Sequence, residues 1–239
     1  MAILRLAFRR ETLLPVVALL FATFVCVALV GVWIWRTGNT SYRFLVWNLF
    51  LAWVPLFFAL LAYLSFEQGA VKRWRVAGFG LSWLLFFPNA PYICTDIIHL
   101  TTSFRRNFWA DMILILCCAF TGLVVGFVSL YLMHGLVQKS VGKAAGWLFI
   151  AAAVSLSGFG VYVGRFLRFN SWDVVYRPVV LLQNIGQWVF NPHTRPSLVF
   201  PILFATFLFI SYLVLYALTH LRVPAGMGAS WSNAREAGT

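Results

Sequence analysis

Six long apolar runs constrain this chain more than any other feature, at about residues 13–35, 44–64, 76–94, 109–133, 145–166 and 198–220. Each approaches or exceeds the ~20 residues that an α-helix needs to cross ~30 Å of hydrocarbon. The expectation is an all-α integral membrane fold, a six-span helical bundle. Composition agrees, because only 10% of residues are charged and 62% are hydrophobic, whereas a soluble domain carries about 25% charged residues. One transmembrane domain is expected over residues 1–222. The Gly-, Ala- and Ser-rich tail, residues 223–239, is expected to be a disordered cytoplasmic segment. Arg5, Arg9 and Arg10 ahead of the first run resemble the start of a signal peptide. The run is too long for one and no small-x-small cleavage site follows, so it reads as a retained anchor.

The net charge of +12 comes from 18 basic and 6 acidic residues, and the basic ones fall between the apolar runs. They read as topology signals and as contacts with membrane lipids, anionic lipids included. No aromatic-basic stripe lies on a soluble face, and the reading is no nucleic acid. With the N-terminus inside, ten basic residues fall inside and eight outside. Lys72, Lys139 and Lys143 are all inside, while Arg165, Arg168, Arg177 and Arg195 share one specialised outer segment. The expected orientation is therefore N-in and C-in. The cysteines, Cys26, Cys94, Cys117 and Cys118, form no CxxC pair and imply no disulfide framework.

The third run is broken by the stretch Phe86-Phe87-Pro88-Asn89-Ala90-Pro91-Tyr92-Ile93-Cys94-Thr95-Asp96-Ile97-Ile98-His99-Leu100. Proline has no N–H to donate and clashes with a continuing helix. A broken helix at membrane depth persists only where protein or a water-filled cavity satisfies its backbone. Val76 to Phe87 makes 12 residues, or about 18 Å of helix, which places the break in the outer leaflet. Either the chain resumes as helix and carries Asp96 and His99 to the outer interface, or it turns back and keeps them deeper. Ionisable residues at such a place are expensive and are site candidates. Asp96 and His99, three apart, would suit acid–base chemistry or co-ligation of a metal with Asp173 or Asp111 as a third ligand. The competing reading is an Asp–His hydrogen bond or an Asp–Arg salt bridge that closes the bundle. Cys94 would act as a nucleophile only if exposed.

A second polar stretch, Gly164-Arg165-Phe166-Leu167-Arg168-Phe169-Asn170-Ser171-Trp172-Asp173, ends the fifth run. Arg165 and Arg168 at three-residue spacing are expected on one helix face, where two guanidiniums suit a phosphate or carboxylate. The competing reading pairs them with Asp96, Asp111 or Asp173, or lets them snorkel to lipid phosphates. Residues 178–190 place Pro178, Leu181, Leu182, Ile185, Trp188 and Val189 on one face, opposite Arg177, Gln183, Asn184 and Gln187. That pattern predicts an amphipathic helix on the outer interface. Gly122/Gly126 and Gly160/Gly164 allow close helix approach inside the bundle. Polar residues gather at the outer end, with Asn48 among them. The inner half offers only Glu67, Gln68 and Gln138.

The FPNAPY..TD..HL and GRF.R.NSWD motifs resemble those of a bacterial family of multi-pass membrane proteins classed as a domain of unknown function. The resemblance runs from about the second span to the sixth. It implies a bacterial inner membrane and supplies no activity, substrate or cofactor. The residues themselves support an outward-facing polar site that binds, and in one version transforms, an anionic or lipid-headgroup-like ligand. Asn89, Asp96, His99, Arg165, Arg168, Asn170 and Asp173 are its candidates. A structural or assembly subunit docking a membrane-protein partner is the alternative. A small transporter is the third reading, disfavoured by the scarcity of inner polar residues.

Overall fold

The computed structural model describes residues 10–67, 73–102, 107–169, 171, 173–190 and 198–221. The tail from 223, Asn170 and Trp172 lie outside the described residues. The structure is helical, with no strand among the described residues. The elements are α1 (Arg10–Thr37), α2 (Arg43–Glu67), α3 (Arg73–Phe86), α4 (Asn89–Tyr92), α5 (Phe108–Val141), α6 (Lys143–Phe166), α7 (Asp173–Tyr176), α8 (Pro178–Phe190) and α9 (Val199–Thr219). Two 3₁₀ segments, Thr40–Tyr42 and Ile93–Thr102, join them. Six helical segments are long and apolar enough to cross a membrane, the third being the composite Trp74–Leu100.

The long helix α5 is the centre. It packs against α1, α2, α4, the second 3₁₀ segment and α6, while α9 packs on α6. Side chains facing α5 form two apolar clusters. One contains Trp83, Phe87, Phe127, Leu130, Ile150 and Leu208. The other contains Cys26, Leu45, Leu49, Ile93, Ile115 and Cys118. Most other apolar side chains of α1 and α9, such as Phe21, Phe24, Ile202 and Ile210, point outward. That is the pattern of helices solvated by lipid.

The proline break rewinds the third span without reversing it. The Phe87 carbonyl, deprived of an N–H at Pro91, accepts from Ala90 N–H at 3.1 Å, and Tyr92 N–H reaches the Pro88 carbonyl at 3.0 Å. The chain then tightens into a 3₁₀ helix of 10 residues, long for that conformation. Of the two expected courses, the chain takes the one that resumes as helix.

Both glycine pairs serve this segment. A Cβ on Gly126 would lie 2.6 Å from the Ala90 Cβ, and one on Gly122 would lie 3.0 Å from Ile93 Cγ2. On α6, a Cβ on Gly160 would lie 2.8 Å from Pro88 Cγ, and one on Gly164 would lie 3.3 Å from the Tyr92 ring. Two helices therefore come close to the break from different sides, and glycine makes room for it at both.

Candidate functional site

The 3₁₀ segment has three residues per turn, so Ile93, Asp96 and His99 stack in one column. Asp96 is swallowed by the bundle, with its side chain 1% exposed. Arg165, in the last turn of α6, donates from Nη1 to Asp96 Oδ1 at 3.0 Å. Asn48 of α2 donates from Nδ2 to Asp96 Oδ2 at 2.7 Å. The guanidinium also donates to the Thr95 carbonyl at 2.9 Å and to the Tyr92 hydroxyl at 3.2 Å. Its centre sits 5.5 Å from the Tyr92 ring centroid, within cation–π range. Thr95 Oγ1 in turn donates to the Tyr92 carbonyl at 2.7 Å. One arginine thus ties a carboxylate, a carbonyl and a phenol of the rewound segment to α6, and Asn48 ties the same carboxylate to α2.

His99 Nε2 lies 4.0 Å from Asp96 Oδ1, and the side chain is 44% exposed. That distance is too long for a hydrogen bond. The imidazole stacks on Phe44, with centroids 4.6 Å apart. Asp111 is buried in the first turn of α5, and among the described residues its Oδ1 has no hydrogen-bond partner. Asp173 begins α7 and bonds to neither Asp96 nor Arg165. Among the described residues no three His, Cys, Asp or Glu side chains converge as metal ligands. Cys94 is half-buried.

The expectation that Arg165 and Arg168 share a helix face is corrected. Helix α6 ends at Phe166. Arg168 lies beyond it in a left-handed conformation, φ 59°, where a residue with a Cβ is strained. The turn sends Phe169 N–H back to the Val163 carbonyl at 3.3 Å. Arg168 is exposed and, among the described residues, has no hydrogen-bond or ion-pair partner.

Beside the ion pair, between α3–α4 and α6, lies a cleft of about 400 Å³. Tyr92 belongs to both, lining the cleft with its ring while its hydroxyl accepts from Arg165. Asn89 is on the same wall and donates to Ser171 Oγ at 3.2 Å. The remaining walls are apolar, with Leu84, Leu156 and Phe159 prominent. Val174 of α7 and Leu181 of α8 close the side. Leu181 is the buried residue of α8, whereas Val179, Val180 and Leu182 are exposed.

The other end of the bundle holds polarity that the sequence reading missed. His134 is buried, with Nδ1 2.9 Å from the Tyr212 hydroxyl and Nε2 2.8 Å from Gln138 Nε2. Trp147 meets the imidazole edge-on at 4.9 Å. Ser129 accepts from Trp83 Nε1 at 3.1 Å. The premise that this half offers only Glu67, Gln68 and Gln138 is therefore corrected. A signal existed, because His134/Gln138 and Tyr212/Tyr216 are each spaced four apart on one helix face.

The chain belongs to the family described as a protein of unknown function, DUF1361, whose model matches residues 47–211. That range contains Asn48, the whole break, Arg165 and the cleft, and leaves out α1. No curated protein and no solved structure matches the chain.

Proposed function

We propose that this protein is a membrane-embedded binding protein that holds the anionic or headgroup-like end of a lipid-like ligand at the Asp96 end of its bundle. In this reading it lies in a bacterial inner membrane with both termini cytoplasmic, so that the Asp96 end faces outward and α8 rests on the outer interface. One observation carries the proposal. A cleft with three polar groups, Asn89, Tyr92 and Ser171, adjoins a buried ion pair and shares a wall residue with it.

The geometry divides the candidates by role. Asp96 and Arg165 bond each other, Asn48 and the backbone. They are positioning residues. Asn89 and Ser171 bond each other through one contact and retain further donors and acceptors. Arg168 retains its whole guanidinium. The engagement of Arg165 with three groups of the rewound segment also favours a second reading, in which the pair only locks a structural subunit. A transport route gains no support, since buried Trp83, Phe87, Phe127 and Leu130 fill the space between the two polar ends.

The test is native mass spectrometry of the full chain released from phosphatidylcholine nanodiscs that carry both phosphatidylglycerol and lysophosphatidylglycerol. Preferential retention of an anionic lipid, with one chain or two, is expected, with at least a fivefold loss in Asn89→Leu at unchanged thermal stability. Retention of neither anionic lipid over phosphatidylcholine, or no effect of Asn89→Leu, would leave the structural reading standing alone.

A further inference from the structure

The cleft is amphipathic along its length. Helices α3 and α6 both run toward the Asp96 end, so rising residue numbers mark rising height. At the top the walls carry Asn89, Tyr92 and Ser171, and lower down they carry Leu81, Leu84 and Leu156. From Leu156 to Gly164 the α6 wall rises about 12 Å. A head group and a tail therefore have separate places in one groove.

The volume limits the tail. The cleft holds about 400 Å³, toward the small end of the ~300–1,000 Å³ typical of ligand sites. A methylene is close in size to a water molecule, whose share of the liquid is about 30 Å³, so the space fits roughly a dozen methylenes. That is one chain, where a diacyl lipid would bring two.

Charge selects the head. Arg168 immediately precedes Phe169, which lines the cleft. It is the cation of this stretch that no described carboxylate engages, since Arg165 is committed to Asp96. The nearest buried acid, Asp96, is held by Arg165 and Asn48 and presents no free negative oxygen to repel an anion. A left-handed arginine next in sequence to a wall residue of the groove, with no partner among the described residues, fits strain retained at a functional position.

We propose that the cleft binds one single-chain anionic amphiphile. Its hydrocarbon tail lies along Leu81, Leu84 and Leu156, its phosphate or carboxylate meets Arg168, and Asn89 and Ser171 add hydrogen bonds. This inference rests on the binding function proposed above and adds the ligand's chain number, its charge and its anchor.

The test uses the full chain in phosphatidylcholine nanodiscs with dodecyl phosphate bearing a diazirine at the chain end. Photolabelling is expected on α3 and α6 near Leu81 and Leu156. Unlabelled dodecyl phosphate should compete at least tenfold better than dodecanol, and inorganic phosphate should not compete. In Arg168→Gln the preference over dodecanol should vanish while labelling by the neutral alcohol persists. Leu156→Trp should cut labelling at least tenfold, and Leu81→Trp, at a second exposed position, repeats the test should the first variant fold poorly. Label spread evenly over the outward faces of α1 and α9, or indifferent to both tryptophans, would overturn the proposal. Retention of phosphatidylglycerol through Asn89 without labelling inside the cleft would defeat the single-chain assignment and spare the binding function. Failure of both experiments would defeat both.

Discussion

The Asp96–Arg165 pair makes a quantitative prediction about what holds the broken span. Asp96→Asn keeps the side chain's shape and removes its charge. Hydrogen bonds between membrane helices average only ~0.6 kcal/mol, with a maximum near ~1.7. Lost bonds alone would therefore cost about 1–2 kcal/mol. Removing one partner of a buried ion pair costs more, about 3–5 kcal/mol, because the other charge stays behind. Arg165 is 14% exposed and keeps the Thr95 carbonyl and the Tyr92 hydroxyl, so Asp96→Asn belongs near the low end, about 3 kcal/mol. Arg165→Gln strands a carboxylate that is 1% exposed, with Asn48 as its remaining donor. It belongs near the high end, about 5 kcal/mol. The double variant leaves neither charge and should cost less than the sum by about 2–3 kcal/mol. Unfolding of the full chain in mixed micelles by titrated dodecyl sulfate, followed by tryptophan fluorescence, measures all three. Additivity to within about 0.5 kcal/mol, or an Arg165→Gln cost below that of Asp96→Asn, would refute the lock.

Two further outcomes follow from the backbone. Gly126→Ala should destabilise by about 1–3 kcal/mol, since its Cβ would meet the Ala90 Cβ at 2.6 Å. In Gly135→Ala the Cβ meets nothing within 4 Å, and a gain of up to about 1 kcal/mol is expected from helix propensity; the same micelle titration reads both, and a reversed order would deny that the break rests on α5. Arg168→Gly should relieve the left-handed strain and stabilise by about 1 kcal/mol while abolishing the dodecyl phosphate preference. A loss of stability there would show that the side chain supports the fold.

Much of the fold was legible because hydrocarbon is an exacting solvent. Span lengths and the prolines each carry a large penalty if misplaced, and the structure follows them. The meeting of Asp96 with Arg165, 69 positions apart in sequence, was legible for the same reason: a charge in apolar surroundings has to find its partner. Asn48 joined the outer polar set by the same logic. Other features lack a local code. Helix α6 ends at Phe166, two residues before Arg168, with no glycine or proline to mark it, so extending the helix through Arg168 placed two arginines on one face. Asp173 was expected to join the carboxylate and the arginine. Asp173 instead begins the short helix α7, and Arg165 meets Asp96, the Thr95 carbonyl and the Tyr92 hydroxyl. The cleft is a gap between helices, and its size depends on side chains that no periodicity relates. His134 and Tyr212 were readable and were missed, because polar residues near span ends look like interface anchors until their helix face is counted.

The break explains why the proposed ligand groups and the groups that fasten the span are different residues. Two prolines remove two N–H donors from a span that lies in or near hydrocarbon, and the rewound segment must be fixed from outside itself. Glycines on α5 and α6 admit it, and Arg165 and Asn48 fasten it through Asp96. Those fastenings commit Asp96 and Arg165 to the fold. Pro88 against Gly160 and Tyr92 against Gly164 bring the rewound segment close to α6 at the top. Below and beside that contact lies the cleft, walled by Leu81, Leu84 and Leu156. The ligand groups are those the fastening left over, Asn89, Ser171 and Arg168, which is why substitutions at Asp96 should act on stability and substitutions at Arg168 on affinity.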